Sequence, residues 1–311
     1  MAKIIIKEIK EIIGVGDKSV EYPLTGKSLS TLNSIKNGYI VIEDAVITSF
    51  GESSTFDSDR VVASARRERA KIIDASNKMV MPAFCDSHTH LVYAGSREME
   101  YSDKLRGLSY QEIAARGGGI LNSAKLLQNC SEEQLYKQSV KRAWEIMGFG
   151  TGAVEIKSGY GLTPQDEIKM LKVAKRIGEE TPLTVKTTFM GAHAVPQRYM
   201  GRKEEYVNEI INEMIPVIAA EKLADFIDVF TEEGFFSIED TDRIFNAGVK
   251  YGLRPKIHAN QMSFSGGVEV AAKYGAISAD HLEFTAEAQF KALLESGTIA
   301  TLLPGSTFFL E

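Results

Sequence analysis

Apolar and polar positions along the chain fall into two regimes that meet near residue 80. Before that point, short β-branched or aromatic runs (residues 4–6, 39–42, 45–50 and 71–74) are separated by turn signals such as Asn37-Gly38, Glu43-Asp44 and Gly51. They predict a small β-rich domain over residues 1–78, with the charged stretch 61–70 either a short helix or an exposed loop. From residue 79 the pattern changes to apolar runs alternating with amphipathic stretches, the signature of βα units and a parallel sheet. Strands are predicted at 80–84, 153–156, 183–189, 226–230, 255–257, 277–279 and 298–302. Helices are predicted at 132–147, 164–177, 204–220, 238–251, 267–274 and 286–295. In the second of these, Leu171, Ala174 and Ile177 recur at helical spacing on one face.

Seven βα repeats over residues 79–311 predict an α/β fold of (β/α)₈ TIM-barrel type from which the eighth unit is missing. An open, doubly wound seven-stranded sheet is the alternative. The sequence stops at Thr307-Phe308-Phe309-Leu310-Glu311, straight after an apolar run, which reads as a C-terminally truncated barrel and the first part of a composite β domain from a longer natural chain.

Composition removes several function classes. Hydrophobic residues make up 44% and charged residues 25% of the 311, as in ordinary globular chains. A net charge of −6 leaves no basic surplus for phosphates and argues against a nucleic-acid partner. No run of 18 apolar residues suits a membrane span, and Lys and Glu interrupt the apolar N-terminus too often for a signal peptide. Two cysteines, Cys85 and Cys130, cannot make a disulfide framework, so a cytoplasmic setting is expected.

The chemistry-bearing residues are the five histidines, and each follows or ends an apolar run: His88, His90, His193, His258 and His281. Strand ends and the loops after them form the active face of a barrel. Side chains two apart on a strand point the same way, so His88 and His90 can share one metal ion. Taken singly, a His-x-His pair can arise by chance or in a loop, and His258 or His281 can be hydrogen-bonded core residues. Taken together, their placement after strands one, five and six is hard to explain as packing. A catalytic zinc or iron site needs about three ligands and an open position for water. His88, His90 and His258 supply three, and such an ion brings the pKa of its water toward about 7. His281, with Glu283 nearby, is the candidate to move protons. A carboxylate completing the metal shell is expected from the eighth strand.

Several motifs then resemble one family. Val80-Met81-Pro82-Ala83-Phe84-Cys85-Asp86-Ser87-His88-Thr89-His90-Leu91 resembles the first-strand motif of the amidohydrolase superfamily, and residues 38–44 resemble its small composite domain. The segments starting at His90-Leu91-Val92-Tyr93, Glu155-Ile156-Lys157-Ser158-Gly159-Tyr160, Gly191-Ala192-His193 and His258-Ala259-Asn260-Gln261 are more specific and resemble the imidazolonepropionase family. The resemblance implies hydrolysis of the cyclic amide of 4-imidazolone-5-propanoate to N-formimidoyl-L-glutamate, in histidine degradation, by a metal-bound hydroxide. It implies one zinc or iron ion on His88, His90 and His258, and a catalytic His281. It also implies substrate contacts from Arg97, Tyr160, His193 and Gln261, a fourth ligand Asp beyond residue 311, and a homodimer. Some family members carry Glu where this chain has Gln261, and an amide cannot act as a base.

Each implied contact has a plainer competitor. Arg97 can grip the propionate with a bidentate fork, or pair with Glu98 or Glu100 at the surface. Tyr160 can meet the ring or plug a turn, His193 can stabilise the oxyanion or cap a loop, and Gln261 can meet ring nitrogens or support His258. Lys157 is similar to the bridging lysine of two-metal relatives but follows the second strand rather than the fourth, which favours a pairing or substrate-shell role beside a single metal. Gly117-Gly118-Gly119 reads as a mobile cover for the barrel mouth rather than a phosphate cradle. The rival functions are another cyclic amidase or deaminase of the superfamily, or an inactive truncated metal-binding fragment.

Overall fold

The computed structural model describes residues 3–16, 24, 26–55, 70–108, 112 and 118–310. Most of the 61–70 stretch, and Gly117 of the glycine run, lie outside the described residues. The chain divides into two units, Met1–Ala83 and Phe84–Glu311.

The first unit is a five-stranded sheet of β1 (Lys3–Ile13), β2 (Ser34–Glu43), β3 (Val46–Glu52), β4 (Lys71–Asp74) and β5 (Met79–Val80). The order is β3-β2-β1-β4, with β5 also paired to β1. A bulge between Ile6 and Ile9, with Glu8 at φ 55°, resets the alternation of β1 so that Ile5, Ile9 and Ile12 are all buried. Asp44 and Ala45, at φ 50° and 66°, give the tight β2–β3 turn the left-handed backbone that a type I′ hairpin needs.

The apolar run 80–84 is therefore not one strand, as the pattern had predicted. Val80 ends β5 in the small sheet, and the first parallel strand starts at Phe84. Pro82 lies between them and has no N–H to give a ladder, which breaks the run.

In the second unit the strands are β6 (Phe84–Thr89), β7 (Thr151–Lys157), β8 (Thr184–Ala192), β9 (Phe226–Thr231), β10 (Arg254–Pro255), β11 (Ile257–Ala259), β12 (Ser278–His281) and β13 (Ile299–Thr301). All pairings are parallel, in the order β13-β12-β11-β9-β8-β7-β6 with β10 on β9. Neighbours in the sheet are neighbours in sequence. A doubly wound sheet reverses its order at a switch point, and this one does not, so the TIM-type reading holds.

The helices are α1 (Glu98–Leu105), α2 (Ile120–Gln128), α3 (Glu132–Gly148), α4 (Pro164–Glu180), α5 (Lys203–Glu209), α6 (Ile215–Ala220), α7 (Ile238–Lys250), α8 (Gly267–Tyr274), α9 (Glu287–Ser296) and α10 (Pro304–Leu310). The predicted helix 204–220 is broken into α5 and α6 by a π-helical turn, Ile210–Met214, ahead of Pro216. Helix α4 shows how local sequence sets these elements. The Thr163 hydroxyl caps it by accepting the Asp166 N–H, and Pro164 fits its first turn. Its Met170, Leu171, Val173, Ala174 and Ile177 are buried. Burying a large aliphatic side chain in this way contributes roughly 1.5–3 kcal/mol.

One parity of the strands (Val154 and Ile156, Ile227 and Val229, Ile257) joins the helices in the apolar core. The other parity carries buried polar groups: Glu155 and Lys157, Asp228, Lys256 and His258, Ser278 and Asp280. That polar layer leads to the site.

Candidate active site

Each histidine stands at the C-terminal end of a parallel strand. His88 lies in β6, His258 in β11 and His281 ends β12, while His90 and His193 stand one residue past β6 and β8. The possible ligand atoms of His88, His258 and His281 all lie within 4.8 Å of one another. His90 reaches the group through His258, with 3.4 Å between their Nε2 atoms, and its other face stacks on His193 at 4.9 Å between ring centroids. The three ligands expected from spacing, His88, His90 and His258, are thus together, but the tightest trio has His281 in the place of His90.

The reason lies in the backbone. Strand parity alone would send the side chain of His281 away from that of Asp280. His281 and Leu282 instead adopt φ 83° and 70°, a left-handed conformation that non-glycine residues take up only when their surroundings hold them there. The strand turns at that point, and the imidazole of His281 lies 5.0 Å from that of His258, centroid to centroid.

Two carboxylates that no local pattern singles out orient two of these imidazoles. His88 Nδ1 lies 2.6 Å from Asp280 Oδ2, and His258 Nδ1 lies 3.0 Å from both oxygens of Asp228. A carboxylate accepts the Nδ1 proton and leaves the Nε2 lone pair free for a metal. Burial, the largest cause, with the charge of Lys157, brings the pKa of His88 down to about 4. Burial also holds His90 and His258 well below the ordinary histidine value. Two neutral imidazoles aimed by carboxylates, His88 and His258, with a third histidine beside them, fit a zinc or iron ion.

The site opens into a cavity of about 340 Å³ lined by these four histidines with Arg97, Tyr160, His193 and Gln261, so every residue predicted for the site lies on its wall. The Nε–H of Arg97 donates to Ser123 Oγ at 2.9 Å, while its buried Nη2 has no partner. The guanidinium stands 5.4 Å from the Tyr160 ring. Tyr160 is presented by a loop that the fully buried Glu167 gathers, its carboxylate accepting the N–H groups of Gly159, Gly161 and Leu162 at 2.8–2.9 Å. Gly159, at φ 109°, could take no side chain, because a Cβ there would lie 2.8 Å from His193 Nδ1. That nitrogen donates to the Gly159 carbonyl at 3.0 Å. Gln261 is held by Glu232, which accepts its backbone N–H, and its amide reaches toward Ser306 Oγ at 3.5 Å.

Among the described residues, the buried side-chain polar atoms without a hydrogen-bond partner are His90 Nδ1, Arg97 Nη2, Glu155 Oε2, His281 Nδ1 and Glu283 Oε2. Buried polar atoms rarely lack partners, and three of these belong to cavity-lining residues, which marks a site built for a polar ligand. Asp86, by contrast, lies exposed and only accepts the amide of His88 at 3.2 Å.

The depressed histidine pKa values carry a stability consequence for the metal-free protein. His88 at about 4 and His193 at about 3, the latter lowered mainly by burial, bind protons less readily folded than unfolded. Stability is therefore greatest above the unfolded value near 6.5 and is lost as pH falls toward the folded values. Between about pH 7 and 5 the loss is roughly 2 kcal/mol for each of the two. Urea midpoints of the chelated protein at those pH values measure it; equal midpoints would contradict the buried, neutral assignment.

An imidazolonepropionase of Flavobacterium johnsoniae is 47% identical over 307 residues, covering 99% of this chain and 72% of that protein. The chain belongs to the imidazolonepropionase family. Further imidazolonepropionases are 40–48% identical over 99% of the chain, among them proteins of Flavobacterium psychrophilum and Clostridium tetani. No family model matches the chain. Solved structures show the fold at low identity. A 5-methylcytosine deaminase from Klebsiella pneumoniae superposes with TM-score 0.65 at 15% identity, over 99% of this chain and 67% of that one. An atrazine chlorohydrolase from Arthrobacter aurescens, crystallised with zinc and atraton, gives 0.59 at 10% identity, over 99% and 67%. In this chain the polar site stands at the C-terminal ends of the parallel strands. Among its described residues no helix is long and apolar enough to cross a membrane.

Proposed function

We propose that the cavity binds 4-imidazolone-5-propanoate and that the chain hydrolyses its cyclic amide to N-formimidoyl-L-glutamate, as the family name and the site together support. The observation that carries the substrate assignment is Arg97. Ser123 occupies its Nε edge, where Glu100 Oε2 also stands at 3.9 Å, Tyr160 lies 5.4 Å away, and a buried Nη2 is left without a partner on the cavity side. That is a half-filled fork for the propionate carboxylate. A purine or pyrimidine substrate has no use for it, which separates this reading from the deaminase one.

His88, His90 and His258 would hold the zinc or iron ion, with His281 standing free beside it, and the ion would make a water acidic enough to attack at neutral pH. Hydrolysis places the oxygen of water on the ring carbonyl carbon and a proton on the ring nitrogen as their C–N bond breaks. His281 is the group placed to carry that proton from water to nitrogen. Its Nδ1 makes no hydrogen bond but faces Glu283 Oε1 at 3.8 Å, a carboxylate that steadies the imidazolium as it forms. For His193 we propose a role other than the oxyanion donor expected from sequence. Its Nδ1 proton is committed to the Gly159 carbonyl, so its neutral Nε2 offers a lone pair and accepts a ring N–H instead. The small sheet is read as part of a composite domain. A cytoplasmic setting with no nucleic-acid partner rests on the two free cysteines, the net charge of −6 and the small-molecule cavity.

The assignment is tested with a ring lacking the side chain. Losing a hydrogen bond to a charged group costs about 1.5–3 kcal/mol. Unsubstituted imidazolone should therefore show a kcat/KM about 10- to 150-fold below that of the propionate, and equal efficiency would remove Arg97 from the site.

A further inference from the structure

Lys157 is the residue that the reaction leaves unexplained. It is fully buried on β7, below the histidines, and its ammonium makes three carboxylate contacts. Glu155 Oε1 and Asp228 Oδ2 lie 2.8 Å from Nζ, and Asp280 Oδ2 lies 3.5 Å away. Two of those carboxylates are the ones that accept the Nδ1 protons of His258 and His88. The ammonium has three N–H groups and no neighbour but these anions at ion-pair distance. A second buried cation among the described residues, Lys256, stands 3.6 Å from Asp280, and its amino group donates to Ser87 O and Ser278 Oγ.

We propose that Lys157 is a positioning residue, a single buried ammonium that holds Asp228 and Asp280 together and so aims two metal-ligating imidazoles as one unit. This rests on the metal-site reading above. The physical reason is geometric: one Nζ lies 2.8 Å from Asp228 Oδ2 and 3.5 Å from Asp280 Oδ2, so a single buried atom fixes the spacing of the two carboxylates. Without Lys157 nothing ties Asp228 to Asp280, and either can shift. A displaced carboxylate no longer accepts the Nδ1–H, and the imidazole behind it is free to rotate. His88 and His258 sit on strands far apart in sequence, so no local contact can fix their mutual angle. Lys157 does so through one atom.

The test separates positioning from charge balance. Lys157→Met alone leaves three buried carboxylates opposite one lysine. Lys157→Met combined with Glu155→Gln removes one cation and one anion, leaving the net charge of the cluster unchanged. Both variants, the Glu155→Gln single variant and the wild type are compared as full chains. The readouts are thermal unfolding, zinc affinity by chelator competition, and imidazole ¹⁵N spectra of the metal-free protein. Glu155→Gln alone should bind zinc as the wild type does. The charge-matched double variant should fold, bind zinc about 10- to 100-fold more weakly, and lose the protected Nδ1–H signals of two histidines. Wild-type zinc affinity and intact Nδ1–H signals in the double variant would overturn the proposal. So would failure of both Lys157 variants to fold, because Lys157 would then be a folding determinant rather than a positioning one. A wild-type chain that binds no zinc would instead overturn the metal-site reading itself.

Discussion

Replacing His258 with alanine is expected to abolish both metal binding and hydrolysis while leaving the chain folded. His258 is the meeting point of the site. Its ring lies within ring-contact distance of His88, His90, His193 and His281, and Asp228 holds its Nδ1. Removing it opens the trio and deletes one of the two imidazoles whose tautomer a carboxylate fixes. The stabilisation that a catalytic ion gives the transition state amounts to several kcal/mol, so the rate should fall by at least about 1,000-fold. Zinc content by elemental analysis and unfolding curves read alongside activity check this. A His258→Ala protein that keeps stoichiometric zinc and measurable turnover would place the centre elsewhere.

The second large effect is expected at Arg97. Arg97→Met keeps the length and loses the fork, so KM for the propionate should rise about 10- to 150-fold with a smaller change in kcat. Arg97→Lys should fall between, because a point charge replaces one arm of a bidentate contact but not its geometry. Its Nε partner Ser123 lies outside the chemistry, so folding should be unaffected. A KM within twofold of wild type for Arg97→Met would mean that the carboxylate is bound by another group.

How far the sequence exposed this site depends on the range of the interaction involved. His88, His90, His193 and His258 were legible because strand alternation and the position after an apolar run are local, and both place side chains at one end of a barrel. His281 was legible by position but not by direction. Parity points it the wrong way, and a left-handed backbone at His281 and Leu282, which no propensity announces, turns it inward. Asp228, Asp280 and Lys157 were not legible as a unit. Their contacts cross 71 residues from Lys157 to Asp228 and 192 from His88 to Asp280, and a lone Asp inside a strand carries no pattern. Glu167 was hidden differently, since on α4 it reads as one more charged helix residue although its carboxylate is fully buried under the Tyr160 loop. The alternation of β and α predicted the fold class. It misplaced the first parallel strand because an apolar run across Pro82 serves two sheets.

Metal-dependent opening of the imidazolone ring is proposed at the cluster of His88, His90, His258 and His281. The most direct measurement incubates the purified chain with 4-imidazolone-5-propanoate and follows product by mass, with the protein zinc-loaded, chelated, and chelated then reloaded. N-formimidoyl-L-glutamate is expected from the loaded protein, none after chelation, and recovery on reloading. Release of ammonia in place of that product, or equal turnover after chelation, would exclude metal-dependent ring opening at this cluster.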